Sequence, residues 1–429
     1  MTIEKKHVPL KKQKHVATMI IHLISFASIL HKQTSVRHSH ELILTELEKY
    51  FTVHFVDYRE MGKLTPDAFC ILFIATGGVE RTVIQHFEQL PRPAILLADG
   101  MQNSLAAALE ISAWLRARGM KSEILHGELS EMVKRIFVLH RNFKAQRNLF
   151  GKKIGVIGTP SNWLIASGVD YLLAKQRWGV EYIDIPLDRV YNYYNEVTDD
   201  EVGEECAALA TRALACREAT PEDMLKAMRL YRAIRRIAQE DGLSAFTLSC
   251  FRLINTTSTT GCLALALLND EGIIAGCEGD LQSVFTLLMA KAVTGCTGFM
   301  ANPSMINAHS NELVLAHCTI GLQQTEQFVV RSHFETGRGI GIQGILPTGE
   351  TTLLKCGGEC LDEYYIASGR LMENTNYINM CRTQVRVRLD TPTHYFLKNP
   401  LGNHHILLAG RYETQLQEFL QANGCKRIE

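Results

Sequence analysis

Short apolar runs alternate with amphipathic stretches over the first third of the chain, and this alternation constrains the fold more than any other feature. Residues 53–57, 70–75 and 94–98 are typical of buried strands, whereas 41–50 and 104–118 show helical periodicity. Such alternation predicts a parallel, doubly wound sheet. Because 429 residues exceed what one hydrophobic core normally holds, we predict an α/β protein with two or three domains.

The first apolar run, at residues 16–30, has two interpretations. Five lysines between positions 5 and 14 precede it, as in a secretion signal. However, His22 and Ser25 interrupt the run, and no clear small-residue cleavage site follows. Residues 17–24 are therefore better explained as the first buried strand of the domain. The run is also too short for a transmembrane helix.

Charge and cysteine content narrow the class of partner and the compartment. The chain has 45 Lys and Arg against 45 Asp and Glu, which gives no general attraction to nucleic acid or to an anionic membrane. We therefore expect a small molecule or further copies of the chain as partners. The 12 cysteines include no Cys-x-x-Cys pair, so we interpret them as reduced, mostly buried thiols of a cytoplasmic protein.

Two further domains are predicted after a first, doubly wound α/β domain at 1–150. Residues 151–325 repeat the strand and helix alternation, with Thr198 and Thr220 at the spacing of helix N-caps. Strands are expected there at 245–253 and 272–276. Residues 326–429 instead contain several strand-like runs separated by glycine-rich turns, which predicts a mostly β, barrel-like domain. These runs are 329–334, 351–354, 383–389 and 405–408.

One glycine pattern is a false lead. Residues 339–344 satisfy the dinucleotide-binding spacing G-x-G-x-x-G. That motif requires a helix to begin within the glycine loop, so that its amides and dipole can hold a pyrophosphate. A strand and a turn follow here instead, and the glycines therefore indicate a bend in the β domain.

A carboxylate and several histidines stand at predicted strand ends. Glu278 lies between a predicted strand and a predicted helix, and Asp280 is placed to cap that helix. Glu278 is either a carboxylate directed into a cleft or an exposed loop acid without a function. His317 closes one strand, and His404 and His405 stand at the mouth of another. A single histidine in such a place is more often a hydrogen-bonded core residue. Together, a carboxylate and two or more histidines can bind a divalent metal with open positions.

At these residues the sequence resembles the L-fucose/L-arabinose isomerase superfamily, in particular the fucose isomerase-like proteins. Order and spacing of the motifs match from about residue 15 to 425. The motifs are Gly158-Thr-Pro-Ser-Asn-Trp163, Cys250-Phe251, Cys277-Glu-Gly-Asp280, Phe299-Met-Ala-Asn-Pro-Ser304, Leu313-Val-Leu-Ala-His-Cys318, Ser332-His-Phe-Glu335 and Gly402-Asn-His-His405.

The resemblance implies two Rossmann-like domains followed by a β-barrel-type domain, and subunits assembled as a homo-oligomer, a trimer or hexamer. It also implies aldose–ketose isomerisation of an open-chain sugar, such as a 6-deoxyhexose or a pentose, through an ene-diolate. In that family Mn²⁺ or another divalent metal coordinates adjacent oxygens of the sugar, while carboxylates transfer a proton between C1 and C2. Those residue types suit that chemistry.

Residue by residue, the resemblance implies the following roles. Glu278 matches a metal ligand and acid/base, and His317 matches a metal histidine. The C-terminal metal histidine is His404 or His405, with His404 favoured. The substrate-binding candidates are Ser161, Trp163 and His405.

Asn302, which we expect in the loop after a short strand that begins at Phe299, stands where the family has its second metal carboxylate. Its amide oxygen can coordinate a metal, but it carries no charge and cannot act as a base near neutral pH. Asp280, Glu312 or Glu335 could compensate if the local fold brings one of them to the site. Two functions of different class therefore remain open. One is a metal-dependent sugar isomerase that uses Glu278 and Asn302, and the other is a non-catalytic sugar-binding or regulatory relative. A third possibility is another reaction on the same scaffold, such as different chemistry on a sugar acid or a sulfonated sugar, and nothing in the sequence selects it.

Overall fold

The computed structural model describes residues 19–28 and 33–429, which form two compact units divided between Phe143 and Lys144. The strands of the first unit are β1 (Ile20–Phe26), β2 (Thr52–Asp57), β3 (Cys70–Ile74), β4 (Ala94–Leu97) and β5 (Ser122–Leu125). Its helices are α1 (Gln33–Ser39), α2 (Glu41–Glu48), α3 (Glu80–Gln85), α4 (Ser104–Ala117) and α5 (Leu129–Leu149), and the division between the units falls within α5.

The first unit is the predicted doubly wound domain. Its five strands are all parallel, in the order β2-β1-β3-β4-β5. Side chains alternate between the two faces of a strand, so Leu23 packs in one core cluster with α2 and α5, and Ile24 in another with α3 and α4. The predicted first strand is confirmed over Ile20–Phe26, and the lysines before it lie outside the described residues.

The second unit contains the remaining elements. Its strands are β6 (Lys153–Ile157), β7 (Glu181–Ile185), β8 (Ala215–Cys216), β9 (Ala245–Leu248), β10 (Ile274–Cys277), β11 (Phe299–Asn307), β12 (Glu312–His317), β13 (Gln327–Arg331), β14 (Gly341–Ile345), β15 (Gly349–Gly357), β16 (Glu363–Asn374), β17 (Thr383–Leu389), β18 (His405–Ala409) and β19 (Lys426–Arg427). Its helices are α6 (Tyr171–Trp178), α7 (Leu187–Glu196), α8 (Asp199–Arg212), α9 (Pro221–Asp241), α10 (Cys250–Thr257), α11 (Cys262–Asp270), α12 (Leu281–Thr294), α13 (His394–Lys398) and α14 (Glu413–Ala422).

A second parallel sheet and a closed barrel share one core in this unit. The parallel sheet has the order β10-β9-β6-β7. Six antiparallel strands follow the order β15-β18-β11-β12-β17-β16, and pairing of β15 with β16 closes the ring. Buried side chains of both sheets belong to a single hydrophobic cluster. The predicted fold class, two parallel α/β sheets followed by a barrel-like β region, is confirmed. The exact domain boundaries stay a prediction.

Two local predictions differ from the structure. The strand expected at 245–253 ends at Leu248, and residues from Cys250 onward form α10. An apolar run of this length does not by itself distinguish a buried strand from a buried helix. The strand beginning at Phe299 was expected to end before Asn302, but β11 continues to Asn307 through a register shift between Pro303 and Met305. A bulge accommodates the proline, which has no N–H to donate.

The glycine pattern at 339–344 leads into strand β14, with no helix, as the sequence indicated. The basic side chains of α9 each pair with a carboxylate of the same unit. These pairs are Lys226–Glu222, Arg229–Asp199, Arg232–Glu205, Arg235–Glu271 and Arg236–Glu196. Among residues 19–28 and 33–429, no helix combines the length and apolar character that a membrane-crossing segment requires.

The predicted cap of α9 provides a test of local stability. The Thr220 hydroxyl accepts a hydrogen bond from Asp223 N at 3.1 Å, and the Asp223 carboxylate accepts one from Thr220 N at 2.9 Å. Thr220→Ala removes one half of this exchange, and we expect it to lower the free energy of unfolding by about 1 kcal/mol. Thr220→Ser retains the hydroxyl and should lose much less. Denaturant titration of both variants measures the difference, and equal losses would contradict the capping role.

Candidate metal centre

Three different elements bring the candidate residues together at one end of the second unit. Glu278 directly follows β10, at the carboxyl end of the parallel sheet. His317 is the last residue of β12, and His404 directly precedes β18. Both of these strands belong to the barrel. The site therefore forms where the end of the parallel sheet meets the barrel.

The backbone at Glu278 is held in an unusual conformation. Its φ of 63° lies in the left-handed region, which costs about 1–2 kcal/mol for a residue with a side chain. Gly279 follows with φ +74°, and a Cβ there would lie 2.6 Å from Pro160 Cα. Ser161 N also donates a hydrogen bond to the Glu278 carbonyl oxygen at 2.9 Å. The loop after β6 therefore packs directly against this turn and holds the Glu278 side chain in place.

The ligand atoms of Glu278, His317 and His404 all lie within 4.8 Å of one another. Glu278 Oε1 is 3.5 Å from His404 Nε2 and 3.9 Å from His317 Nε2, and neither distance is that of a well-formed hydrogen bond. His404 Nε2 is buried and has no hydrogen-bond partner among the described residues. A buried polar atom without a partner is costly. The cluster provides one carboxylate and two imidazoles, a set of ligands that suits a divalent cation.

The second ring nitrogen of each histidine is engaged outside the cluster. His404 Nδ1 lies 2.9 Å from Asp280 Oδ2, and His317 Nδ1 lies 2.9 Å from the Thr319 hydroxyl. Metal-binding histidines usually have such an outer partner, because it fixes the orientation of the ring. Both Nε2 atoms are consequently directed towards Glu278.

The charges of the cluster follow from its burial and its close contacts. Burial alone would raise the pKa of Glu278, but the His404 and His317 rings and the Trp163 indole N–H lower it to about 2. Burial, assisted by the neighbouring His404, lowers the pKa of His317 to about 4. Burial opposes the charged form of His404, but the Asp280 and Glu278 carboxylates raise its pKa to about 9. At neutral pH and without a cation, Glu278 is therefore ionised, His317 is neutral and His404 carries a proton on both ring nitrogens.

The predicted sugar-contact residues of the β6 loop lie beside this carboxylate. Trp163 Nε1 donates a hydrogen bond to Glu278 Oε2 at 2.6 Å, and the Trp163 side chain remains 54% exposed. The indole ring also packs edge-on against Phe251, with 5.2 Å between ring centroids. Ser161 is half-buried and contacts Glu278 through its main chain. Trp163 thus offers an open apolar surface next to the charged cluster.

Asn302 contacts the residues that precede both histidines. On the neighbouring strand β12 it pairs with Ala316, the residue before His317. Its Oδ1 accepts a hydrogen bond at 3.1 Å from Asn403, the residue before His404. The Asn302 amide therefore stands beside the strand ends that carry the two histidines.

The remaining candidates are engaged elsewhere. His405 is fully buried, with Nε2 3.1 Å from the Tyr395 hydroxyl and Nδ1 3.1 Å from the Asn403 carbonyl oxygen. Glu312 binds Arg388 at the opposite end of β12, roughly 17 Å along the strand from His317. Glu335 is exposed. Of the two histidines that the sequence left open as ligands, His404 is therefore the one in the cluster, and the role of each residue stays a prediction.

Two supporting residues were not recognised from the sequence. Thr319 stands two residues after His317 and holds its ring, an arrangement that a strand-end histidine followed by a hydroxyl residue could have suggested. Asp280 was interpreted as the N-cap of α12, which is confirmed, because its side chain accepts a hydrogen bond from Ser283 N. Its contact with His404, 124 positions away in sequence, has no local signal.

Comparison with curated proteins matches the chain to a sulfoquinovose isomerase from Clostridium sp. (strain MSTE9), with 25% identity over 222 residues. The match covers 50% of this chain and 49% of that protein, so the chain spans about half the length of the curated relative. That relative belongs to the L-fucose/L-arabinose isomerase-like superfamily. The resemblance to this superfamily is confirmed. No family model matches the chain.

Solved structures give no further argument. D-threo-3-hydroxyaspartate dehydratase from Delftia sp. HT23 aligns with 93% of this chain and 85% of its own, at 11% identity and a TM-score of 0.14. A histidine-to-alanine mutant of D-threo-3-hydroxyaspartate dehydratase aligns with 93% and 82%, at 11% identity and a TM-score of 0.15. Scores this low do not show a shared fold.

The two glycines that flank α12 test how tightly the Glu278 turn is held. Gly279 and Gly295 have nearly the same φ, +74° and +77°, but only a Cβ at Gly279 would collide with a neighbour. Gly295→Ala should therefore lower the free energy of unfolding by about 1–2 kcal/mol, through backbone strain alone. Gly279→Ala should cost about 1–3 kcal/mol more, through the clash with Pro160. Denaturant titration of both variants decides, and equal losses would show that the loop does not constrain the turn.

Proposed function

We propose that this protein is a metal-dependent sugar isomerase that interconverts an open-chain aldose and ketose. The observation that carries the proposal is the cluster of Glu278, His317 and His404 around a buried Nε2 atom that lacks a partner among the described residues. The similarity to a sulfoquinovose isomerase supports the reaction class. A carboxylate next to a divalent-cation site is also the equipment that proton transfer between adjacent carbons requires.

Glu278, His317 and His404 would hold the cation, and Asn302 could add its amide oxygen. Mn²⁺ is our first choice, because it accepts mixed oxygen and imidazole ligands. Bound there, the cation would supply positive charge that stabilises negative charge developing on adjacent sugar oxygens. The single carboxylate of this set neutralises only one of the two positive charges.

Glu278 is the proposed acid/base. Its carboxylate is ionised at neutral pH, so it is in the state that accepts a proton. Trp163 donates to Oε2, which leaves Oε1 facing the two histidines. The same indole offers an apolar face beside the carboxylate, where the carbon skeleton of a sugar could pack. Ser161, also in the loop after β6, is the second residue that we propose contacts the sugar.

The identity of the substrate sugar is less narrowly defined than the reaction class. Sulfoquinovose, taken from the name of the curated relative, is our first candidate substrate. A 6-deoxyhexose or a pentose follows from the family resemblance. Cytoplasmic location and assembly as a homo-oligomer of three or six subunits stay predictions.

Asn302 favours one alternative, a sugar-binding relative without catalysis. An amide in place of the second carboxylate removes a charge from the metal site and a possible base from the reaction. An isomerase converts a sugar that it binds, whereas a sugar-binding relative does not. Interconversion of any aldose by the purified protein would exclude the non-catalytic alternative.

A Mn²⁺ titration of the metal-free protein tests the site without a guess about the sugar. We expect Glu278→Gln to weaken Mn²⁺ binding by more than the ~10–100-fold that loss of an outer partner typically costs, because a charged ligand is removed. Glu312→Gln is the matched control, since that carboxylate lies at the other end of β12 from His317 and binds Arg388. Calorimetry should show unchanged affinity for Glu312→Gln. Wild-type protein that binds no Mn²⁺ would remove the basis of the proposal.

Turnover gives the second test. With Mn²⁺ at saturating concentration, Glu278→Gln should lower kcat by about 100-fold to 10,000-fold, the usual contribution of a general acid/base. Conversely, Asn302→Asp places a carboxylate beside the strand ends that carry both histidines and should tighten Mn²⁺ binding. NMR of sugar interconversion measures the turnover of the Glu278→Gln variant, and calorimetry measures the Mn²⁺ affinity of the Asn302→Asp variant. Near-normal turnover of Glu278→Gln would refute the assignment of Glu278.

A further inference from the structure

We propose that Asp280 is a positioning residue for the metal site, which orients His404 so that its Nε2 serves as the ligand. This inference rests on the proposed function, because it assigns a role to Asp280 in the binding of the same cation. It goes beyond the cap that the sequence suggested, since one carboxylate would serve both the helix and the site.

The contact between the Asp280 and His404 side chains is short and buried. Asp280 Oδ2 lies 2.9 Å from His404 Nδ1, and both side chains are completely buried. Bulk solvent does not reach a pair that is buried to this degree. Loss of the carboxylate would therefore leave His404 Nδ1 without an acceptor.

The carboxylate is itself held rigidly. Oδ1 accepts a hydrogen bond from Ser283 N at 2.7 Å, and Oδ2 accepts one from the Ser283 hydroxyl at 2.8 Å. Lys355 Nζ, also fully buried, lies 3.6 Å from Oδ2 and donates to the Ser283 hydroxyl at 3.0 Å. A side chain with so many fixed contacts has a single orientation, and it transmits that orientation to the His404 ring.

Hydrogen-bond donors and acceptors explain the consequence for the metal. An ionised carboxylate only accepts, so the Nδ1 atom of His404 must carry a proton when it faces Asp280. With a cation bound, Nε2 would give up the second ring proton, and the neutral ring would keep its N–H at Nδ1 and its lone pair on Nε2. Nε2 is the atom that lies within reach of Glu278 and His317.

Asp280→Asn separates this role from the cap. The amide oxygen can still accept the hydrogen bond from Ser283 N, so α12 keeps its N-cap. The amide NH₂ then faces His404 Nδ1, which becomes an acceptor, and the ring proton moves to Nε2. We expect Mn²⁺ affinity to fall by about 10–100-fold, the usual effect of losing an outer partner of a metal histidine.

Thr220→Ala is the matched control. It removes the hydroxyl that caps α9 in the same unit and leaves the contacts of Asp280 and His404 in place. Its Mn²⁺ affinity should stay near that of the wild type, even if its stability drops. A purely structural role for Asp280 predicts instead that affinity follows stability in both variants.

Asp280→Asn also leaves the charge of Lys355 without its counter-ion, which could prevent folding. The double variant Asp280→Asn with Lys355→Met removes that charge and should bind Mn²⁺ as weakly as expected for the single variant.

A measurement on the wild type tests the orientation of His404 without any substitution. Protein labelled with ¹⁵N-histidine and loaded with Zn²⁺ should show His404 protonated at Nδ1 and ligated through Nε2.

The outcomes distinguish this inference from the proposed function. If the wild type binds no divalent metal, both are overturned. If the wild type binds Mn²⁺ and a folded Asp280→Asn variant, single or double, binds it equally well, only the role of Asp280 is overturned. Ligation of His404 through Nδ1 in the labelled protein would overturn it as well.

Discussion

The buried carboxylate of Asp280 is the interaction on which the second unit depends. It caps α12, which follows the parallel sheet, and it contacts His404 and Lys355, which belong to the barrel. A buried charge without partners would cost several kcal/mol, so the sheet and the barrel must meet with these side chains aligned. Correct assembly of the core and correct orientation of a proposed metal ligand are thus the same structural requirement.

The same arrangement explains why Glu278 keeps a strained backbone. The turn between β10 and α12 is short, and Asp280 must reach the cap position two residues later. Gly279 allows close packing of the loop after β6, and the left-handed conformation of Glu278 directs its carboxylate towards the two histidines. Strain of this size persists only where neighbouring contacts over-determine the backbone, and it is common at functional sites.

The proposed chemistry depends on a balance of charge within this closed environment. The cluster contributes one ionised carboxylate, one neutral imidazole and one imidazole that faces a second carboxylate. An ordinary core would replace such a set by apolar side chains at lower cost. Its retention next to an exposed indole favours a site that binds a cation and a partly apolar ligand. Asn302 sets this site apart from one with two metal carboxylates.

The sequence by itself determined the parallel α/β domain, the barrel-like β region, the caps of α9 and α12, and the types of residue at strand ends. These depend on local periodicity and on hydrogen bonds between residues three positions apart, such as Thr220 with Asp223. Only the tertiary structure decided that α10 begins at Cys250, that β11 runs past Asn302, and that Asp280 contacts His404. Those outcomes depend on packing between residues up to 124 positions apart, and no local pattern encodes such contacts.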